Sequence, residues 1–225
     1  MRGTKMGKGR VGITTIALFV GLLGTASADG PGRGRTAAFE RDYLQFIMDH
    51  HYAALRVTEL AAGTDATRAA TISPSEGTAP SPDFGSTAAK SGMDQIKSMA
   101  RRANRTQREE ILDAARMLRD WYGVSYQPRL RPDAQAMIQA LSTRGPGADF
   151  DQAFLTMFPR HHFTAVTSSV ECLTGRDVAH DGLARYCRGI VEAQLIEIDE
   201  MRHMLCEQFK VCDMLPFDTT TASRN

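Results

Sequence analysis

This chain has no excess of positive or negative charge: 27 lysines and arginines stand against 26 aspartates and glutamates. No strongly basic patch is left to recruit nucleic acid. There is no glycine-rich phosphate loop, and no serine or cysteine has a recognisable base and orienter, so phosphate-loop chemistry and nucleophilic catalysis find no support. Cysteine is scarce, with four residues, all in the second half. None stands in a Cys-x-x-Cys spacing, which argues against a thiolate metal cluster. Long apolar runs are also lacking. The one candidate, Val11 to Leu23, is too short to span a bilayer comfortably.

That run follows Arg2, Lys5, Lys8 and Arg10 and precedes Ala26-Ser27-Ala28. This is the charged, apolar and small-residue order of a secretory signal peptide over residues 1–28, and it predicts a periplasmic or secreted protein with no membrane span after cleavage. Taking residues 1–28 away removes four basic and no acidic side chains, leaving a net charge of about −3. The remaining 29–225 is enough for a single helical domain with its own core. An even cysteine count in an exported chain favours disulfides. Proximity prefers Cys172 with Cys187 and Cys206 with Cys212 among the connectivities that four cysteines allow.

What is present is a doubled pattern. Phe39-Glu40-Arg41-Asp42-Tyr43-Leu44-Gln45-Phe46-Ile47-Met48-Asp49-His50-His51-Tyr52 returns without a gap as Phe150-Asp151-Gln152-Ala153-Phe154-Leu155-Thr156-Met157-Phe158-Pro159-Arg160-His161-His162-Phe163. Four of the six histidines thus fall in two matching places, the residue type suited to metal or proton chemistry.

Apolar residues recur at helical spacing through Phe39, Tyr43, Phe46, Ile47, Ala54, Val57 and Ala61, and again through Phe150, Phe154, Met157, Phe158, Ala165 and Cys172. A second kind of helix runs through Ile96, Ala100, Ala103, Ile111, Ala114, Leu118 and Trp121, with a counterpart through Ile190, Val191, Ile198, Met201 and Leu205. Each repeat is predicted to be a long helical hairpin. Repeat 1 covers 36–122 and repeat 2 covers 148–212; a linker, 123–147, holds a short helix from Asp133 to Leu141, and 213–225 is a tail. The stretch 63–92, rich in Ser, Thr, Pro, Gly and Ala, reads as a flexible loop outside the core. An amphipathic hairpin cannot bury its apolar face alone, so the expectation is an all-α four-helix bundle made of the two hairpins; a homodimer pairing hairpins between chains stays open.

At about 100° per residue, His50 and His161 fall near the middle of their apolar stripes and His51 and His162 on the shoulder. One of each pair should be buried and the other should line a seam, with His50 and His161 meeting across a pseudo-twofold axis. Gln107-x-x-Glu110-Ile111 corresponds to Gln194-x-x-Glu197-Ile198. The two glutamines, on apolar faces, need partners, and the facing imidazoles are the expected ones. Glu110 and Glu197 are placed to orient a histidine or to bind metal directly. Met157, Met201 and Met204 offer thioether sulfur, which with imidazole suits copper and favours the cuprous ion, although methionine at this spacing is usually core filler. The candidate metal ligands are therefore His50, His51, His161, His162, Met157, Met201 and Met204. Gln107, Glu110, Gln194 and Glu197 are supporting or alternative ligands. His180 and His203 are unrepeated and read as surface residues, and Arg101, Arg102 and Arg105 as a solvated face. Pro159, inside a helical pattern, should kink or loosen the helix at the carbonyl of Leu155.

Phe154-Leu155, Met157, His161-His162, Ala165, Gln194, Glu197-Ile198 and Met201 together resemble the domain-of-unknown-function 305 family of exported bacterial proteins. Tyr43-Leu44, His50-His51, Ala54, Gln107 and Glu110-Ile111 resemble it a second time, in tandem. The resemblance implies a ferritin-like bundle, some of whose members look like periplasmic copper-binding proteins. The chain departs from the pattern at Tyr52 and Phe163, where glutamine is usual, at Val57 and Thr167-Ser168, where a methionine commonly follows, and at Ala114, opposite Met201. Arg160 displaces the methionine before the second pair. Histidine, glutamine and glutamate are kept better than sulfur. The leading expectation is copper sequestration, resistance or delivery without catalysis, with the metal ion and a delivery partner as its associates. A ferritin-like metalloenzyme is disfavoured because the helices of the two histidine pairs offer no inward glutamate at the spacing such sites use, and Glu200-x-x-His203 is a single occurrence away from those pairs. A non-metal envelope protein, with the histidines as a polar network, is the third reading.

Overall fold

A computed structural model describes residues 34–72, 79–174 and 178–213. The expected signal segment, most of the tail and part of the connection after the third long helix lie outside these residues. Four long helices, α1 (Gly34–Ala62), α2 (Asp94–Tyr122), α4 (Ala148–Thr174) and α5 (Asp181–Phe209), are joined with one short helix, α3 (Pro132–Ser142). The fold is all-α, and α1 packs on α2 and α4 on α5 as two hairpins. Among the described residues no helix is long and apolar enough to cross a membrane.

The ends of the helices follow from local chemistry. α2 stops where Gly123 turns left-handed at φ 65°, and its N–H and that of Val124 bond back to the carbonyls of Arg119 and Leu118. Pro132 opens α3 at its first turn, where its missing N–H costs nothing. α4 stays helical through the buried Pro159, so the expected loosening does not break it. Both disulfides form, Cys172–Cys187 joining α4 to α5 and Cys206–Cys212 fastening the end of α5 to the following segment.

The core divides into two apolar clusters. One gathers Val57, Leu60, Ile96, Met99, Phe150, Phe154, Phe158, Met201 and Leu205; the other gathers Tyr43, Leu44, Ile47, Ile111, Leu118, Ala165, Leu183 and Ile190. Between them every long helix contributes buried polar side chains: His50 and His51 from α1, Gln107 from α2, His162 from α4 and Gln194 from α5.

α1 is enclosed almost all round, every residue from Ile47 to Ala62 except Arg56 being buried. Its face carries three carboxylates, Glu40, Asp49 and Glu59, each buried and each tied to a different connecting segment. Glu59 accepts from the N–H and hydroxyl of Ser81 at 2.7 and 2.6 Å and faces the Arg108 guanidinium at 3.4 Å. Arg108, fully buried, also donates to the carbonyls of Thr71 and Ala79 and to Asn104 Oδ1. The described parts of the 63–92 segment are therefore anchored to the core, which corrects its reading as a flexible loop outside it. Its return strand of chain also satisfies the end of α1, with Lys90 and Ser91 donating to the carbonyls of Leu60 and Ala61. At Gly63, φ 74°, a Cβ would come within 2.9 Å of the Ala89 nitrogen, so only glycine fits that approach.

His180 corrects a second expectation. It is buried, with Nδ1 2.6 Å from Glu40 Oε2 and its ring stacked on Trp121 at 3.8 Å. Glu40 also accepts from the N–H of Ala179 and from the Tyr122 hydroxyl. The start of α1, the end of α2 and the entry to α5 thus meet on one carboxylate. His203, Arg101, Arg102 and Arg105 lie on the exposed surface as expected. Arg102 pairs with Glu200 across α2 and α5 at 2.9 Å.

Glu59→Ala leaves Arg108 as an unpaired buried charge, and the expected cost is about 3–5 kcal/mol of unfolding free energy in urea. A loss under about 1 kcal/mol would show that the loop anchor is not part of the cooperative core.

Candidate metal centre

The histidine rings meet where the two hairpins touch. His50 and His161 stack face to face, with centroids 3.6 Å apart and planes 6° from parallel. His161 Nε2 lies 3.2 Å from the His50 carbonyl, so in that contact it carries the proton and donates. Their chain neighbours turn the other way. His51 Nε2 lies 2.9 Å from Glu110 Oε2, and His162 Nε2 lies 2.6 Å from Glu197 Oε2. Each carboxylate comes from the partner helix of the same hairpin, α2 for His51 and α5 for His162.

The expected division of each pair into one enclosed and one seam-lining ring is present, with the roles exchanged. His51 and His162, placed on the shoulder by helical-wheel phase, are fully enclosed. His50 and His161, placed at mid-stripe, line a cavity of about 270 Å³. The wheel assumes one apolar stripe and one wet face; α1 is covered on nearly every side, so its stripe has no unique centre.

The two carboxylate–imidazole contacts are not equal. His162–Glu197 is a hydrogen bond, and in neutral imidazole a proton on Nε2 leaves Nδ1 as the lone-pair nitrogen, which is buried and without a hydrogen-bond partner. His51 and Glu110 are close but off the line of a hydrogen bond, so His51 Nε2, its Nδ1 and Glu110 Oε2 all keep unused capacity. His50 Nε2 is buried and unpartnered as well. Gln107 and Gln194 are buried in this layer as predicted, but neither Gln107 amide atom nor Gln194 Oε1 finds a partner, so the expected amide–imidazole bonds are not made.

Burial and the neighbouring imidazoles hold the His50 and His161 pKa values well below the usual 6.5, because a charged ring would be desolvated and repelled. Both are therefore neutral near pH 7, the form that binds metal. Phe46 tilts against His50, while Phe158 lies edge-on to His162 and stacks with His161. These contacts fix the ring planes.

The sulfur candidates separate. Met157 lines the His50–His161 cavity. Met201 is fully buried among the phenylalanines of one apolar cluster, and Met204 borders a different groove beside Met99 and His203. The cavity wall also contains Asp133, Ala134 and Met137 of α3 together with Arg160 and Thr164. Sequence reasoning missed these α3 residues, although Ala134, Met137 and Leu141 recur at helical spacing and mark a face that must pack on something. Among the described residues no three His, Cys, Asp or Glu side chains converge on one point.

Residues 85–205 match the family described as Domain of unknown function (DUF305). The chain belongs to this family. The matched span of this DUF305 protein runs from the end of the long loop to Leu205 in α5 and includes His161, His162, Gln194 and Glu197. Among solved structures it is similar to CopM in the Cu(II)-bound form, at TM-score 0.52 and 18% identity, covering 75% of this chain and 96% of that chain. CopM in the Ag-bound form and in the Cu(I)-bound form each match at TM-score 0.53 and 18% identity over 76% of this chain, and over 97% and 96% of theirs. This likeness shows a shared fold. No curated protein matches the chain.

The lowered histidine pKa values set a pH dependence. Below about 6.5 the unfolded chain takes up protons that folded His50 and His161 refuse, so stability falls as pH drops, and above that value the two rings contribute nothing to the slope. Urea midpoints at pH 7 and pH 5 should fall further apart in the native chain than in His50→Leu/His161→Leu. Equal differences would mean that these rings accept protons in the folded state.

Proposed function

We propose that this protein is an exported copper-binding protein that holds the ion at the His50–His161 stack, with Met157 as a sulfur donor, and sequesters or delivers it without catalysis. The observation that carries this reading is the stack itself: two imidazoles held neutral, one from each hairpin, lining an open cavity with a methionine. The ring centroids are 3.6 Å apart, and because an imidazole lone pair lies in its ring plane, the two rings must turn out of the parallel stack for one ion to take a nitrogen from both. The unpartnered His50 Nε2 supplies such a nitrogen.

Several observations support it. The fold is shared with CopM, whose structures carry Cu(II), Cu(I) and Ag. Two disulfides suit an oxidising compartment, and the order of residues 1–28 is that of an export signal. The matching contacts His51–Glu110 and His162–Glu197 support reading the two hairpins as a tandem duplication whose carboxylates orient the second imidazole of each pair. A purely structural polar network would be expected to satisfy Gln107 and Gln194, and it does not.

Titration calorimetry of the chain lacking residues 1–28 should give saturable copper binding. His50→Ala/His161→Ala should lower the affinity by at least about 100-fold with helical circular dichroism intact. Unchanged binding in the double variant would place any copper elsewhere.

A further inference from the structure

The short helix between the hairpins is held in place over the histidine stack with more contacts than a connector needs. Ala134 and Leu141 are buried, and Met137 and Ile138 pack on the core cluster of α1 and α4. At its start, Asp49, the residue before His50, accepts from the Tyr126 hydroxyl at 2.9 and 3.0 Å and from the Arg129 N–H at 2.9 Å. Arg131, which precedes α3, lies over the Phe46 ring, and Phe46 in turn lies against His50. At its end, Lys90 Nζ donates to the carbonyls of Ser142 and Arg144 at 2.7 and 2.6 Å. α3 is therefore fixed at both ends relative to His50, and Met137 and Asp133 line the cavity that His50, His161 and Met157 share.

From this we infer that α3 completes the site: Met137 is a second thioether donor, which makes the centre selective for the cuprous over the cupric ion, and Asp49 is the positioning residue that aims it. The inference rests on the copper reading above. Two imidazoles alone do not discriminate strongly between copper oxidation states, whereas soft thioether sulfur favours Cu(I). The cavity offers no third imidazole or thiolate, and Asp133 faces it together with Arg160, so no strong excess of negative charge draws a divalent ion. The donors that remain are the sulfurs of Met137 and Met157. They come from α3 and α4, on the side of the stack away from the Glu110 and Glu197 contacts, whose helices contribute nothing to this cavity. α3 has no counterpart in either hairpin, so the second sulfur is supplied by the linker and lies outside the repeated pattern.

The test uses the chain lacking residues 1–28. Cu(I) affinity is read anaerobically against a chromophoric cuprous chelator, and Cu(II) affinity by calorimetry. Met137→Leu, which keeps the volume, should weaken Cu(I) binding by about tenfold or more and Cu(II) binding by less than about threefold. Asp49→Asn should lower the Cu(I) to Cu(II) affinity ratio in the same direction. In the native chain carrying 13C-methyl methionine, the Met137 and Met157 methyl resonances should move on addition of Ag(I), a redox-inert stand-in; this readout needs no variant to fold. If Met137→Leu keeps its Cu(I) affinity within about twofold and the Met137 methyl stays put, while His50→Ala/His161→Ala abolishes binding, the copper site stands and the role of α3 falls. If the native chain binds neither ion, both readings fall together.

Discussion

Burial of α1 on nearly every side is the constraint from which the rest of the structure follows. A helix so enclosed cannot leave a polar side chain to water, yet this one carries Glu40, Asp49, His50, His51 and Glu59 among its buried residues. The three carboxylates take partners from outside the helix, and the connecting segments supply them. Glu40 draws in the entry to α5 through Ala179 and His180, Asp49 draws in the linker through Tyr126 and Arg129, and Glu59 draws in the long loop through Ser81 and Arg108. Segments that would otherwise be free to wander are fixed by the electrostatic needs of one helix. The cost is sensitivity: removing one partner leaves a buried charge unpaired, which costs far more than losing a surface ion pair.

The same logic explains why the core is split. The apolar clusters on either side of the histidine layer do the work of burial, and each spans all four long helices, so the layer between them need not contribute to stability. It is free to hold groups whose bonding capacity is not used up. Unpartnered His50 Nε2, His162 Nδ1 and the Gln107 amide are expensive in a dry interior. The rings themselves are held by Phe46, Phe158 and the two glutamates.

Helical periodicity and pairing survived the passage from sequence to structure because both are short-range or repeated signals. The four long helices, the short helix after Pro132, both disulfides and the meeting of His50 with His161 were legible from apolar spacing, from cysteine proximity and from the doubled pattern. The carboxylate partners of His51 and His162 were legible too, since Glu110 and Glu197 occupy equivalent places. What failed were inferences that needed a wet side. Helical phase mistook which ring of each pair is enclosed, and His180, itself unrepeated, passed for a surface residue because its partner Glu40 is distant in sequence. The 63–92 segment looked dispensable because small polar residues carry no periodic signal, while its anchors, Glu59 and Arg108, sit inside helices that read as ordinary amphipathic ones.

The likeness of the two hairpins does not make the centre symmetric, and the asymmetry has a direction. The His162–Glu197 contact is a well-formed hydrogen bond, whereas His51 and Glu110 approach without one. Pro159 stands in the second hairpin where the first has Met48, and Met48 is buried in the apolar core while Met157 reaches the cavity. The linker crosses only one face of the stack, the face formed by α1 and α4, and covers it with α3. A symmetric pair of imidazoles is thus placed in a cavity whose other donors all come from one side. On the copper reading proposed above, an ion entering there would meet nitrogen from both hairpins but sulfur only from α3 and α4. The chemistry of such a centre is set less by the repeated motif than by the unrepeated residues around it.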